Sequence, residues 1–217
     1  MESLTIVQQL AVWALPVLLA VTLHEVAHGY AARALGDPTA QQAGRLSLNP
    51  LRHVDPVGTL LVPGILLAIG GFLFGWARPV PVNAARLHQG RRSMAWVALA
   101  GPLANLVMAL GWAILLKLLL LTGSESGMAI GTRYMALAGI GINIILMVLN
   151  LLPLPPLDGS RVLGGFVPPR QAAWLDRVEP YGLIILLGLL VTGILGVILW
   201  PMYGFVEGMV GTVTGLR

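Results

Sequence analysis

Long apolar runs separated by short polar segments dominate this chain, and their lengths predict its architecture. About 20 helical residues cross the roughly 30 Å hydrocarbon layer of a bilayer, so each apolar run of that length predicts a transmembrane helix. Four runs qualify: 4–34, 93–121, 130–152 and 180–203. The pattern predicts an all-α integral membrane protein with about four clear transmembrane helices. We expect a single membrane-embedded domain over 1–217, with its core in 4–165 and a C-terminal helix at 180–203.

A fifth apolar segment, 57–75, is harder to interpret. It carries no charge but contains Pro63-Gly64 and Gly70-Gly71, which disfavour a regular helix. One interpretation is a re-entrant or interfacial hairpin whose irregular backbone is shielded by protein. The alternative is an additional membrane span, which its length alone allows.

Two short polar segments alternate like strands. Residues 44–49 and 79–83 show this period of two, and the prolines at 79 and 81 restrict the second segment to an edge position. They predict a small cytoplasmic β-hairpin-like element, which would offer an edge for a substrate to pair with. The Gly-rich tail, 204–217, is predicted to be too short to span.

Composition agrees with a membrane protein. The 217 residues are 57% hydrophobic and only 10% charged, with a mean hydropathy of +0.84. The sequence has no basic or acidic tail, so nothing in it indicates a nucleic-acid partner. The lack of cysteine excludes disulfides and thiolate metal ligands. We expect the lipid bilayer to be the main surrounding of the chain.

Most of the arginines lie on one side of the predicted spans, and Arg133 is predicted to lie on the other. Seven fall within 33–92 and three within 153–179: Arg33, Arg45, Arg52, Arg78, Arg86, Arg91 and Arg92, then Arg161, Arg170 and Arg177. Loops rich in Lys and Arg stay in the cytoplasm, so both segments are predicted to be cytoplasmic and the N-terminus outside. The expected location is the cell (inner or plasma) membrane, as a multi-pass protein.

The candidate chemistry begins within the first apolar run. His24 and His28 lie four residues apart, so on a helix both imidazoles share one face and can bind one metal ion. Glu25 follows the first histidine, where a carboxylate can act on a metal-bound water as general base. Its alternative role is a supporting or ion-paired carboxylate. Polar groups of this kind are costly in a membrane helix, so the motif predicts a metal site.

A third metal ligand has few candidates, because the chain has only nine carboxylates. Asp158 stands out because it follows Asn150–Leu157, an apolar stretch whose prolines prevent a regular helix. Unwound backbone at membrane depth indicates a cavity. The alternative for Asp158 is a cap on the short helix that follows it.

Depth is consistent with one shared cavity. His24 precedes Arg33 by nine residues, which at about 1.5 Å per residue places it about 14 Å below the basic end of its helix. Asn105 follows Arg92 by thirteen residues, or about 20 Å by the same rise. We expect the active site to face the cytoplasmic side.

With these motifs in hand, the chain resembles the site-2 protease family of intramembrane zinc metalloproteases. The resemblance covers most of 20–165 and rests on segments whose order and spacing agree with the family. They are His24-Glu25-Val26-Ala27-His28-Gly29, Gly44-Arg45-Leu46-Ser47-Leu48-Asn49-Pro50 with His53 and Asp55-Pro56, Ala100-Gly101-Pro102-Leu103-Ala104-Asn105, and Asn150 to Gly159. The second of these is similar to the compact bacterial branch, which has no PDZ domain.

The resemblance implies one catalytic Zn²⁺ held by His24, His28 and Asp158, with Glu25 as the catalytic acid/base. It also implies substrate-binding roles for Asn105, Asn150 and His53. The alternatives are interhelical hydrogen bonds for the two asparagines and an interfacial loop position for His53. The expected reaction is hydrolysis of a peptide bond within or next to a transmembrane segment of a protein or peptide substrate. Assembly into a homo-oligomer is compatible with these expectations. The alternative function is a non-proteolytic zinc-binding membrane protein, such as a transporter or a chaperone-like regulator.

Overall fold

The structure is a computed structural model that describes residues 4–53, 55 and 78–216. The predicted re-entrant or additional segment, 57–75, lies outside the described residues. Within them, every regular element is helical, as the apolar runs predict. The α-helices are α1 (Ile6–Ala34), α2 (Thr39–Gln42), α3 (Arg91–Leu121), α4 (Gly127–Asn150), α5 (Asp158–Phe166), α6 (Pro169–Val178), α7 (Gly182–Val191) and α8 (Ile194–Thr214). Short 3₁₀ turns cover Pro50–Arg52, Ala84–Arg86 and Glu179–Tyr181.

Four helices in the described part of the chain are long and apolar enough to cross a membrane. They are Val7–Ala34 within α1, α3, α4 and α8. Their outer faces carry large apolar side chains, and on α3 alone Val107, Ile114 and Leu118 are exposed. A surface of this kind is unfavourable in water and suits a lipid environment.

Small residues let the central helices approach closely. Ala109 and Ala113 on α3 and Ala136 on α4 are fully buried in the largest apolar cluster. At Gly139 of α4, an added Cβ would lie 2.4 Å from the Trp112 ring, so no larger residue fits there without movement. Close packing of small residues is the usual basis of helix association in a bilayer. α1 packs against this α3–α4 pair, which places its two histidines inside the bundle.

The C-terminal helix differs from the prediction. The expected single helix at 180–203 is two helices, because Gly193 adopts a left-handed φ of 76° and ends α7 after ten residues. The spanning helix is α8, which continues through Pro201 to Thr214. The prediction that 204–217 is a non-spanning tail was therefore wrong. Glycine and proline are tolerated in membrane helices, so Pro201 and the glycines after it do not end α8 before Thr214.

The predicted β-hairpin-like element was also wrong, since no strand occurs within 4–53 or 78–216. Segment 44–49 uses its carbonyls to bind side chains: Gly44 accepts from Arg52, and Ser47 accepts from His53. Residues 78–83, here called the proline strap, have prolines at 79 and 81 that carry no N–H. The N–H groups of Val80 and Asn83 go to side-chain carboxylates. Main-chain N–H and carbonyl groups that would form a strand ladder are thus already hydrogen-bonded to side chains.

Asp37 ties the end of α1 to the proline strap. Its carboxylate is fully buried and accepts hydrogen bonds from the Thr39 N–H at 3.0 Å, the Thr39 hydroxyl and the Asn83 N–H. Burial by itself raises the pKa of Asp37, but these hydrogen bonds and the nearby Arg86 lower it below its usual range. A folded-state pKa below the unfolded value means that the ionised carboxylate stabilises the fold above that unfolded value.

We predict that Asp37→Asn destabilises the protein by about 2 kcal/mol at pH 7, because an amide donor then faces a buried N–H. Thermal unfolding in detergent micelles measures this. The difference in unfolding free energy between Asp37→Asn and wild type should become smaller only below about pH 4, where the wild-type carboxylate becomes protonated. Glu125→Gln, at a carboxylate whose side chain is 75% exposed, is the control and should have little effect. Equal melting temperatures for wild type and Asp37→Asn at pH 7 would contradict the assigned role.

Candidate metal centre

The two histidines of α1 face one another across one helical turn, as their spacing predicts. Their Nε2 atoms are 3.1 Å apart, and both residues are buried, at 8% and 9% exposure. Helix α3 passes directly over them at Gly101. An added Cβ at Gly101 would lie 2.5 Å from the His28 ring and 2.6 Å from the His24 ring. Glycine at this position is what allows α3 to close the site, and our sequence reasoning gave Gly101 no role of its own.

Asp158 reaches the histidines from the first turn of α5. The irregular segment before it leaves α4 and returns the chain toward α1, consistent with the prolines that prevent a helix there. Gly159 packs so tightly that a Cβ would lie 2.3 Å from the Leu151 and Leu152 carbonyl oxygens. The alternative role of Asp158 as a helix cap is not observed, since α5 has no side-chain capping bond.

Three side-chain atoms converge at one point. Asp158 Oδ2 lies 3.2 Å from His24 Nε2 and 3.3 Å from His28 Nε2, and the ligand atoms of all three residues lie within 4.8 Å of one another. Oδ2 is buried and, despite these short distances, forms no hydrogen bond with the described residues. A buried carboxylate oxygen without a donor is costly. Two imidazole nitrogens and one carboxylate oxygen are also a donor set that suits zinc.

The other ring nitrogens determine the tautomers. His28 Nδ1 lies 2.7 Å from the Val97 carbonyl oxygen, which can only accept a hydrogen bond. Nδ1 must therefore carry the proton, and Nε2 keeps a free lone pair. Metal-binding histidines usually donate their second N–H to an oxygen acceptor in this way.

A chain of two asparagines does the same for His24. Asn143 Nδ2 donates to the Gly139 carbonyl, so its Oδ1 accepts from Asn105 Nδ2 at 2.9 Å. Asn105 Nδ2 also lies 3.4 Å from the Ala20 carbonyl oxygen. The Oδ1 atom of Asn105 lies 2.6 Å from His24 Nδ1. The two backbone carbonyls set the direction of every bond, so His24 Nδ1 donates and Nε2 faces Asp158. With both imidazoles neutral, the two Nε2 lone pairs and Oδ2 converge with no proton between them, an arrangement that a cation would stabilise.

Glu25 lies in a cavity of about 250 Å³ beside the three converging atoms. Its Oε2 accepts a hydrogen bond from the backbone N–H of Val80 at 2.8 Å. The cavity is lined by α1, the proline strap, α3, the last residue of α4, the chain before α5 and the first residues of α5. It adjoins a larger cavity of about 550 Å³, with which it shares Val82, Met94 and Arg161. The 250 Å³ cavity therefore brings Glu25 next to the three side chains that could hold a metal ion.

The three predicted substrate-binding residues lie in different surroundings. Asn150 lines the cavity, and its amide donates to the Leu146 carbonyl. Asn105 is fully buried behind His24, with its amide engaged as described above. His53 is buried in the loop after α2, where its Nε2 contacts the Ser47 carbonyl, and it is not among the described residues that line the cavity. Their roles toward a substrate stay predictions.

Asn143 and the Val80 N–H are the site features that sequence reasoning missed. Asn143 lies within the apolar run at 130–152, and an asparagine buried in such a run needs a hydrogen-bonding partner. The free-energy cost of burying an unpaired asparagine was the signal from which a role for Asn143 could have been predicted. A backbone N–H such as that of Val80 has no sequence signature at all.

We predict that Asn143→Leu weakens zinc binding about 10-fold and that Asn105→Leu weakens it up to about 100-fold. Both changes leave the His24 ring free to rotate, and Asn105→Leu removes its direct partner. Chelator competition on the purified protein, read by metal analysis, measures the affinity. Asn49→Ala, an exposed asparagine outside the site, is the control. Zinc affinity equal to wild type in Asn105→Leu would show that the asparagine pair does not position His24.

The chain is similar to bacterial proteins named for zinc-dependent proteolysis. It is 43% identical over 187 residues to the Bacillus subtilis (strain 168) protein named "Putative zinc metalloprotease YwhC", covering 85% of this chain and 82% of that protein. It is 34% identical over 179 residues to "Putative zinc metalloprotease Rip2" of Mycolicibacterium smegmatis, covering 81% of this chain and 64% of that protein. The protein of the same name from Mycobacterium tuberculosis (strain H37Rv) is 31% identical over 190 residues, 84% of this chain and 70% of that protein.

No family model matches the chain, and no solved structure matches it. The relatives, however, match it over most of its length, and the family resemblance of its motifs is confirmed. The chain therefore belongs to a family of zinc metalloproteases, the site-2 protease family that its motifs resemble.

Proposed function

We propose that this metalloprotease is intramembrane-cleaving and hydrolyses peptide bonds within or next to transmembrane segments of membrane-protein substrates. The observation that carries the proposal is the position of the ligand set. His24 and His28 belong to a helix whose length and apolar character suit a membrane span, and Asp158 meets them inside the helix bundle. A site buried inside a bundle of membrane-spanning helices is suited to a substrate that is itself in the membrane, and not to a soluble one.

His24, His28 and Asp158 would hold the zinc ion. When bound, zinc supplies Lewis-acid chemistry, lowering the pKa of a coordinated water to about 7 and polarising a carbonyl oxygen. Asp158 Oδ2, buried and without a hydrogen bond in the described structure, is the oxygen best placed to bind it. The asparagine pair and the Val97 carbonyl hold the two imidazoles with Nε2 available.

Glu25 would act as the general acid/base. Its carboxylate shares the cavity with the ligand set, so it can accept a proton from the attacking water and donate it to the leaving amine. A transmembrane substrate must unwind before reaction, since the amide groups of a helix are hydrogen-bonded internally. Asn150, at the cavity wall, is the residue we propose for contact with the extended substrate.

Water needs a route to this cavity. The adjoining 550 Å³ cavity carries two ion pairs, Arg91 with Asp176 and Arg161 with Glu179, whose side chains are about half exposed. Its polar wall lies on the side of the bundle that holds the basic segments. We propose that this side is cytoplasmic, in accordance with the positive-inside rule, and that the protein resides in the cell membrane.

We predict that Glu25→Gln lowers cleavage by about 10²–10⁴-fold while zinc content stays at the wild-type level. Glutamine is nearly isosteric and can still accept a hydrogen bond from Val80, but it cannot take a proton. The assay uses the full chain in lipid vesicles with single-span model substrates, and follows product formation by gel and mass spectrometry. A zinc chelator should stop the wild-type reaction.

Two results would contradict the proposal at different levels. Wild-type rates in Glu25→Gln would remove the assigned role of this carboxylate. A zinc-loaded wild-type protein that cleaves none of the model substrates would favour the non-proteolytic alternative, a zinc-binding transporter or regulator.

A further inference from the structure

The proline strap lies across the metal cavity and is held at both ends. Pro79, Val80 and Val82 line the cavity. At the start of the strap, the Arg45 guanidinium donates to the Arg78 carbonyl at 2.7 Å and approaches the Pro79 carbonyl at 3.4 Å. At its end, the Asn83 N–H is bound by the buried carboxylate of Asp37. The strap therefore has a defined position without belonging to a helix or sheet.

Val80 presents one N–H group to the cavity. Its two neighbours are prolines and have none, so Val80 is the donor of these three residues. The N–H lies 2.8 Å from Glu25 Oε2. The Val80 side chain is 7% exposed and packs on α1 at Gly29, where an added Cβ would lie 3.1 Å from Val80 Cγ1. The side chain packs on α1, while Arg45 and Asp37 hold the main chain that carries the donor.

We propose that the proline strap is a positioning element for Glu25, acting through the Val80 N–H. A free glutamate rotates about three side-chain bonds, and most of its rotamers direct the carboxylate away from a reacting water. A main-chain donor that fixes Oε2 restricts this rotation and leaves Oε1 for proton transfer. Arg45, which also interacts electrostatically with Glu25, fixes the strap that carries the donor. This inference rests on the proposed function, in which Glu25 moves the proton.

A positioning role differs from two other roles that the strap could have. A simple brace would affect folding and zinc content together. An edge for binding the extended substrate would affect KM, because lost substrate contacts weaken binding before they slow chemistry. Misplacement of the acid/base lowers kcat while KM and zinc content stay near wild type, and a displacement of about 1 Å can cost about 10²-fold.

The decisive comparison is between Val80→Pro and Val80→Ala. Val80→Pro removes the N–H, and we expect kcat to fall about 10- to 100-fold with KM within about twofold of wild type. Val80→Ala keeps the N–H and trims the side chain, and should lose no more than about threefold. The assay uses the full zinc-loaded chain in phosphatidylethanolamine and phosphatidylglycerol vesicles, with a single-span model substrate carrying a fluorescent reporter.

A second pair of variants covers the case in which Val80→Pro does not fold. Arg45→Gln releases the start of the strap and should lower kcat about 3- to 10-fold, again with KM unchanged. Arg52→Gln removes a similar arginine–carbonyl bond, to Gly44, in the same loop but not on the strap, and should behave like wild type.

Three results would overturn the inference: wild-type kcat in Val80→Pro, equal losses in Val80→Pro and Val80→Ala, or a loss confined to KM. If Val80→Pro fails to bind zinc, wild-type kcat in Arg45→Gln overturns it instead. Failure of the proposed function looks different, because the wild-type protein itself would then cleave no substrate. In that case chelator-sensitive turnover is absent from every variant.

Discussion

His24 and His28 place four ring nitrogens inside a bundle whose other interior groups are mostly apolar, and each nitrogen needs a partner there. Two are served by acceptors: the Val97 carbonyl for His28, and Asn105 for His24. The other two face each other and a buried carboxylate oxygen that has no hydrogen bond in the described structure. Most of the surrounding architecture can be understood as what is needed to bring these groups together. α3 needs glycine at position 101 to pass over the rings, and the chain before α5 must be irregular to return Asp158 to α1.

The rigid and irregular parts of the site have separate tasks. Helices α1, α3, α4 and α5 hold the three converging side chains and the asparagines behind them, where small displacements would cost most. The irregular proline strap contacts Glu25, whose proposed proton-transfer role requires a defined orientation of its carboxylate rather than metal binding. Because the strap is held by Arg45 and Asp37, its position is coupled to the loops on the basic side of the bundle.

The two errors in the predicted architecture have separate causes. The alternation at 79–83 matches the burial of its residues, whereas the alternation at 44–49 does not. Strand formation also depends on free main-chain groups, and here carboxylates and an arginine bind several of those groups. The C-terminal helix was misplaced because the Gly-rich segment 204–217 was predicted to be a separate tail, whereas most of it continues α8. In lipid, Pro201 is accommodated within α8, whereas Gly193 ends α7 through its positive φ.

The sequence by itself determined the helical class, most of the spans and the three residues that the structure brings together as a group able to hold a metal ion. These follow from local properties: run length, the four-residue spacing of His24 and His28, and the cost of a carboxylate such as Asp158 beside an apolar, proline-broken segment. Only the tertiary structure decided which groups support that set. Asn143 meets Asn105 from 38 positions away, Val80 meets Glu25 from 55, and Asp37 meets Asn83 from 46. Such contacts depend on how separate elements pack, and neither the period of a helix nor the residue type of a backbone donor records them.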